Sequence, residues 1–499
     1  MRFHLRHVLI TILGFTLSCA PWLAAQNPAA PADASPSRSA STKARSRPAP
    51  SRVAMLGACV SCIRANLAYL AGPGLHGRGS GTEDEHHAAE FIAGKLKQYG
   101  AAPAAGSGGY IQTATVQSRR VTSAPTVSFD IDEAAKPRQI SWKHGEEIVL
   151  FDLAQPEVSG PTQKIDLSGE KTSPAEAKQG AVVLLKLKPG TTMAQAQSAM
   201  QPYMDGKAAM FIFPGGDDTK KMFDSYGKQP PHMPKKIGSR EPKGYVPAIL
   251  AKPDNFNQLW SAPEGTLVKL HADVTPWQTS HTWNVLGKFE GTDEKDQVIL
   301  LSAHLDHLGV RNGTTYPGAD DDASGTVAVL EFARALVKKP KLKRTVIFAL
   351  WGSEEQGMVG SRYFLENPTF DLQQITANLE FEMIGRADAK VKPGQLWLTG
   401  WERTNLGPEL AAHGAKLVGD PHPEQDFFER SDNIALARKG IVAQTVSSYG
   451  LHNDYHQPTD TLDKVDFPHM DQAIGSMIGP IVWLANSNFK PKWKAEEKP

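Results

Sequence analysis

The chain has 499 residues, of which 40% are hydrophobic and 21% charged, and its formal net charge is +1. This length is enough for roughly two to three domains, and the composition is ordinary for a globular protein. Because 54 basic residues balance 53 acidic ones, nothing in the charge favours nucleic acid or an anionic membrane surface as a partner.

The N-terminus has the features of an export signal. A basic start, "MRFHLRH", precedes the apolar run "VLITILGFTLSCAPWLAA", which is short for a membrane span and ends in small residues. We therefore predict a signal peptide over residues 1–25, export to the periplasm or the exterior, and no stable membrane span after cleavage. Cys19 leaves lipid anchoring as an alternative, although Thr16 stands where such a motif usually has an aliphatic residue. Residues 26–52 are rich in Pro, Ala and Ser, which predicts a disordered linker.

Three further segments follow in the chain. Residues 53–121 begin with the cysteine motif "CVSC", for which a local disulfide or two buried thiols is favoured over a redox pair. They also contain two predicted helices, "CIRANLAYLAG" and "HHAAEFIAGKLKQYG". Residues 122–276 consist mostly of short predicted strands and predict a separate, smaller β-rich module. Residues 277–490 alternate strand, loop and helix, so the predicted fold class is α/β, with a mixed, mainly parallel central sheet flanked by helices.

Charged and histidine side chains cluster where the strands of this last segment end. The clusters, in chain order, are His304 with Asp306, Asp320 with Asp321 and Asp322, Glu354 with Glu355, Glu380 with Glu382, and His452 with Asp454 and His456. Ligand sites in such sheets form at the carboxyl ends of the strands. Carboxylates gathered there repel one another unless a positive group lies among them, and nitrogen and oxygen ligands suit zinc. Each cluster taken alone fits a structural histidine, a solvated pair or a helix cap, but five such coincidences are then needed.

Several motifs also resemble a known family. "SAHLDHLG", "GADDDASG", "SEEQG", "FEMIGR" and "YHQPTDT" occur in this order in the co-catalytic zinc exopeptidases, and "GLHGRGSGT" near the start is similar too. The sequence resembles the zinc aminopeptidase family, metallopeptidase family twenty-eight, which also holds the glutamate carboxypeptidases. The strands around "GAVVLLKLKPG" and "AAMFIFPGG" resemble a protease-associated domain inserted into the catalytic domain.

The resemblance implies two zinc ions per chain and a role for each matching residue. The implied ligands are His304 and Glu382 for one zinc, Glu355 and His456 for the other, and Asp321 as a bridge between them. Glu354 would be the general base that activates a water held between the metals. Asp306 would orient the imidazole of His304.

Some assignments stay open at this point. Family members often have Asp where this chain has Glu382, and Glu380 is a rival ligand because residues i and i+2 share a strand face. Asp320 and Asp322 are interpreted as supports of the turn. Ser324 is the predicted helix cap, and His307 is interpreted as a structural residue beside the metal ligands.

The implied function is an exported di-zinc exopeptidase, most simply an aminopeptidase that releases N-terminal residues from peptides or dipeptides. The first alternative is a carboxypeptidase of the glutamate-releasing type, which needs a basic pocket for the substrate carboxylate. The second is a non-catalytic, receptor-like relative, which the presence of all five implied ligands and the base disfavours. The sequence predicts no oligomeric state.

Overall fold

The computed structural model describes residues 57–106, 108–133, 136–169, 176–203, 207–238, 246–337 and 342–499. The predicted signal peptide and linker lie outside these residues. Cys59 and Cys62 form a disulfide at the start of the first helix, which confirms the local pairing. No helix among the described residues combines the length and apolar character needed to cross a membrane.

Helices and short strands both follow the predicted order. The α-helices of the described residues are α1 (Val60–Leu70), α2 (Glu83–Gln98), α3 (Met193–Met200), α4 (Thr219–Tyr226), α5 (Pro253–Ser261), α6 (Ala323–Leu336), α7 (Val359–Glu366), α8 (Leu406–Ala412), α9 (Asn433–Ala437) and α10 (Phe467–Asn486). The strands are β1 (Ala102–Pro103), β2 (Ile111–Ser118), β3 (Thr126–Glu133), β4 (Lys136–Lys143), β5 (Ile148–Leu150), β6 (Glu157–Asp166), β7 (Val182–Lys186), β8 (Met210–Pro214), β9 (Lys236–Ile237), β10 (Ala248–Ala251), β11 (Leu267–His271), β12 (Gln278–Phe289), β13 (Glu294–His304), β14 (Gly309–Arg311), β15 (Thr314–Tyr316), β16 (Arg344–Trp351), β17 (Ile375–Phe381), β18 (Leu396–Leu398), β19 (Leu417–Gly419) and β20 (Ala443–Ser447).

The larger sheet runs in the order β19-β18-β20-β17-β13-β16-β12-β2-β9, with β1 paired to β12. Its centre is parallel, because β13 pairs in parallel with both β16 and β17, and β17 pairs in parallel with β20. All eight residues of β16 are buried, as expected for a strand covered on both faces. Antiparallel pairs flank this parallel centre, which confirms the mixed α/β fold, although parallel pairs are confined to the centre and one edge of the sheet.

A second sheet has its own core. Its order is β4-β3-β11-β6-β7-β8-β10-β5, and its strands lie between Thr126 and His271, inside the interval predicted for a separate module. β9 belongs to this stretch of sequence but pairs with β2 of the larger sheet, so the two sheets are joined by more than the chain connections. The likeness of the second sheet to a protease-associated domain stays a prediction.

Helix α6 packs tightly against the centre of the larger sheet. Almost all its residues are buried, including both faces of its first turn. A methyl group added at Gly325 would lie 2.0 Å from the carbonyl oxygen of Phe381 at the end of β17. The absence of a side chain there therefore sets how closely the start of α6 approaches the strand.

We expect Gly325→Ala to destabilise the protein by about 1–3 kcal/mol, because the methyl group must displace backbone. Gly479→Ala is the matched control, since Gly479 lies in α10 and nothing is within 4 Å of an added methyl group. This control should be neutral or stabilising by about 0.4–1 kcal/mol. Urea unfolding of both variants measures the difference, and equal stabilities would contradict the packing argument.

Candidate metal centre

The predicted site residues are delivered to one edge of the larger sheet. β13 ends at His304, β16 is followed by the turn that holds Glu354 and Glu355, and Glu382 comes directly after β17. Since these strands are parallel, their carboxyl ends lie side by side. Asp321 comes from the loop before α6, which packs on β13 and β17.

Two groups of possible metal ligands share Asp321. In the first, donor atoms of His304, Asp321 and Glu382 all lie within 4.8 Å of one another. His304 Nε2 is 3.2 Å from Asp321 Oδ1. Asp321 is almost fully buried, with 2% of its surface exposed.

The second group of possible ligands is next to the other carboxylate oxygen of Asp321, Oδ2. It contains His307, Asp321 and Glu355, again with donor atoms within 4.8 Å. His456 Nε2 is 3.2 Å from Asp321 Oδ2 and 3.1 Å from Glu355 Oε2. The structure thus brings all five predicted ligands together and adds His307, which was interpreted from the sequence as a structural residue.

The donor set fits two divalent ions. Asp321 presents one oxygen to each group, as a bridging carboxylate must. Asp321 Oδ2 and Glu355 Oε1 are buried and accept no hydrogen bond from any described residue. Buried polar atoms are nearly always paired, so such orphans at one spot indicate an absent cation. Imidazole and carboxylate donors together suit zinc.

The two outer aspartates of the triplet bind backbone. Asp322 accepts hydrogen bonds from the amides of Gly325 (3.0 Å) and Met383 (2.9 Å). Asp320 accepts from the amide of Gly385 (2.7 Å) and lies 2.9 Å from His452 Nε2. Their interpretation as supports of the turn agrees with these contacts.

The helix-cap prediction was wrong. The N-cap of α6 is Asp322, whereas Ser324 lies inside the first turn. The Ser324 hydroxyl donates to the carbonyl of Asp320 (2.7 Å) and accepts from the amide of Ile384 (2.9 Å). The carboxylate of Asp322 already faces the first amides of the helix, so it is the cap in place of the Ser324 hydroxyl. The serine instead connects the loop before α6 to the segment after β17.

Asp306 contacts the site through both its main-chain carbonyl and its side-chain carboxylate. Its carbonyl oxygen is 3.2 Å from His304 Nδ1, while its nearest carboxylate oxygen is 3.7 Å away. The carboxylate instead accepts from the amides of Glu354 (2.9 Å) and Glu355 (3.4 Å). The expected contact with the imidazole is therefore made mainly by the main chain, and the side chain holds the turn that carries both glutamates.

Glu380, the rival ligand, points away from both groups. Its carboxylate accepts a hydrogen bond from the Ser302 hydroxyl within the sheet, and it belongs to neither group of donors. Glu382 follows the strand end, where Met383 adopts a left-handed backbone conformation (φ 51°). This turn carries the longer glutamate to the place where family members often have Asp.

Arg78, from "GLHGRGSGT", is a residue whose importance the sequence did not reveal. Its buried guanidinium donates to the carbonyls of Leu70 (2.7 Å), Leu305 (2.9 Å), Pro317 (2.8 Å) and Gly318 (2.9 Å). It therefore fastens the loop after β13 to the loop before α6. An arginine in a Gly-rich stretch is usually a solvent-exposed charge. The only feature of the sequence that indicated a further role was its place in a motif that resembles the family.

Two buried acids also support the site without having been predicted. Asp460 accepts hydrogen bonds from the amides of Asp320 (3.0 Å) and Asp321 (3.1 Å). The feature of the sequence that could have indicated this role is its place in the motif "YHQPTDT". Glu85, from α2, accepts from the amide of Ser353 (2.9 Å) just before Glu354. Its position in a charged, amphipathic helix gave no sign of burial.

The electrostatics of the cluster show an excess of negative charge. Desolvation, with help from Asp432 and Glu355, raises the pKa of Glu354 well above its usual range despite the opposing effect of His304. Burial and Asp321 would raise the pKa of Glu355, but His307 and His456 lower it to about 2. Burial would lower the pKa of His456, yet Asp321 and Glu355 raise it to about 10. The carboxylates thus draw positive charge to this spot, the condition that a metal ion satisfies.

A narrow pocket opens beside Glu382. Its aromatic wall contains Trp397, Phe427, Tyr449 and Tyr455. The Arg430 guanidinium lies over the Phe427 ring, 5.0 Å from its centroid. Because Glu382 belongs to the first donor group, the pocket directly adjoins the possible metal ligands.

The comparison with known families agrees with this geometry. Residues 284–479 match the sequence model of peptidase family M28. This segment contains every residue of the two donor groups. The strands and helices that carry the ligands lie within it.

Individual relatives cover parts of the chain. A probable lipoprotein aminopeptidase, LpqL, of Mycobacterium tuberculosis is 31% identical over 44% of this chain and 48% of its own length. A probable leucine aminopeptidase 2 of Arthroderma benhamiae is 23% identical over 64% of this chain and 65% of its own length. The chain thus matches less than two thirds of either relative. The solved aminopeptidase from Aneurinibacillus sp. strain AM-1 shares the fold, with a TM-score of 0.50 and 18% identity over 88% of this chain and 96% of its own.

We expect Arg78→Ala to lower stability by about 3–5 kcal/mol, the range for disrupting a buried charged network. The variant should also lose bound zinc, because the two loops that carry His307 and Asp321 are no longer joined. Arg438→Ala is the control, since Arg438 makes a surface pair with Glu429 (2.6 Å) and should cost at most about 1 kcal/mol. Unfolding curves and zinc content test both, and unchanged zinc in a folded Arg78→Ala protein would refute this link.

Proposed function

We propose that this protein is an exported di-zinc aminopeptidase. The observation that carries the proposal is the pair of donor groups that share the buried Asp321. His304 and Glu382 would hold one ion, and Glu355 and His456 the other. Bound zinc ions supply Lewis acidity, which lowers the pKa of water and polarises the scissile carbonyl.

Glu354 is the proposed general base. Its neighbour Glu355 faces the second donor group, while Glu354 belongs to neither group, so it is left to move protons. Its backbone amide is held by Asp306 (2.9 Å), which fixes the start of the side chain. The carboxylate takes a proton from water and passes it to the leaving amine.

The charge of the cleft favours an N-terminal over a C-terminal substrate group. Glu382 forms part of the pocket wall, and Asp321 of the same donor group lies beside it. Such a surface attracts the α-ammonium group of a peptide, whereas a carboxypeptidase needs cations there. Arg430 is the one basic residue that lines the pocket, and its guanidinium is stacked on Phe427. The mycobacterial and Arthroderma relatives are both named as probable aminopeptidases.

Export follows from the predicted signal peptide. The name of the mycobacterial relative, a probable lipoprotein aminopeptidase, supports the same location. We assign the aromatic pocket beside Glu382 to the side chain of the substrate's first residue. The second sheet is proposed as a protease-associated domain.

We expect Glu354→Gln to keep two zinc ions and lose about 10²–10⁴-fold in kcat, the usual contribution of a general base. Asp321→Ala should lose zinc as well as activity, because it removes a ligand from both groups. Metal analysis beside peptide hydrolysis separates the two. A Glu354→Gln enzyme with near-normal turnover would exclude Glu354 as the base.

The choice between aminopeptidase and carboxypeptidase is tested with matched substrates. We expect hydrolysis of an aminoacyl nitroanilide with a free amine, and none of the same compound after N-acetylation. A peptide with a blocked N-terminus and a free C-terminal glutamate should resist cleavage. Release of that glutamate would favour the carboxypeptidase instead.

A further inference from the structure

His307 is the one buried histidine at the site that the family resemblance leaves without a role. It follows His304 by three residues and is fully buried. Its Nδ1 atom lies 2.7 Å from Glu355 Oε1 and 3.8 Å from Asp321 Oδ2. The imidazole thus faces the second donor group from the side opposite His456.

The short contact with Glu355 is not an aligned hydrogen bond. Although the two atoms are 2.7 Å apart, His307 Nδ1 and Glu355 Oε1 both lack a hydrogen-bond partner among the described residues. The contact is therefore a close, buried ion pair, and its spacing is also that of two ligands of one ion.

The distances fit a single ion. Zinc binds nitrogen and oxygen at about 2.0–2.2 Å, so two ligands of one ion lie at most about 4.4 Å apart. The separations of the donors of His307, Glu355, Asp321 and His456 quoted above run from 2.7 to 3.8 Å. Glu355 turns Oε1 to His307 and Oε2 to His456, so its carboxylate lies between two imidazoles.

Packing fixes the direction of the ring. Gly318 lies against its face, where an added methyl group would be 2.5 Å from ring carbons of His307. The backbone of His307 is held at both ends, by its amide to the carbonyl of Arg78 (3.0 Å) and by its carbonyl to the amide of Ser80 (3.2 Å). These contacts of the ring and the backbone hold the imidazole of His307 toward the second donor group.

We propose that His307 is a further ligand of the second metal ion, through Nδ1. This inference rests on the proposed two-metal function. It makes the centre asymmetric, because the second ion then has two imidazoles, Asp321 and Glu355, while the first has His304, Asp321 and Glu382. Since imidazole suits zinc, the second ion is held by the stronger set.

The test counts the imidazole ligands directly. The full protein is loaded with Co²⁺, and its proton NMR spectrum is searched for hyperfine-shifted ring N–H signals, one for each bound histidine. We expect three signals in the native protein and two in His307→Ala. His307→Asn, which keeps an oxygen near the position of Nδ1, guards against misfolding and should also show two. His469→Ala is the control and should keep three, because His469 is buried outside both donor groups.

Native protein that binds two Co²⁺ ions with only two signals would overturn the role of His307 and leave the peptidase proposal intact. Three signals retained in His307→Ala would overturn it as well. Binding of fewer than two ions by the native protein would reject the two-metal function, and the role of His307 with it.

Discussion

Concentrated negative charge at the ends of β13, β16 and β17 is the constraint on which the structure of this site depends. Asp321 lies at its centre, 2% exposed, with imidazoles on both of its oxygens. Isolated buried carboxylates are too costly to keep charged. The surrounding fold therefore supplies backbone amides, imidazoles and two groups of possible metal ligands.

The three adjacent aspartates show how this constraint is met. Asp320 and Asp322 accept hydrogen bonds from amides of the loop after β17 and of the start of α6. They therefore hold the loop before α6 in place. The backbone amide of Asp321 donates to the carboxylate of Asp460 (3.1 Å), whereas the carboxylate of Asp321 faces imidazoles. This carboxylate is shared by the two donor groups. Chemically identical residues thus differ in role because each faces different partners.

The site is also assembled from distant parts of the chain. Arg78 and Glu85 come from the N-terminal part of the chain, more than 200 residues before the site loops that they contact. Both are buried, and both form hydrogen bonds with the backbone of those loops. Stability and metal binding are therefore coupled, because the same contacts that close the fold hold the ligands in place.

The α/β class, the site clusters and the family resemblance could be predicted from the sequence, because apolar strands, helical periodicity and ordered polar motifs are local signals. The burial of Arg78 and Glu85, the choice of Glu382 over Glu380 and the cap at Asp322 were decided by tertiary structure. Each depends on which groups face a side chain across the fold, and residue type alone does not carry that information. His307 belongs to this second kind, since only packing against Gly318 turns its ring toward Glu355.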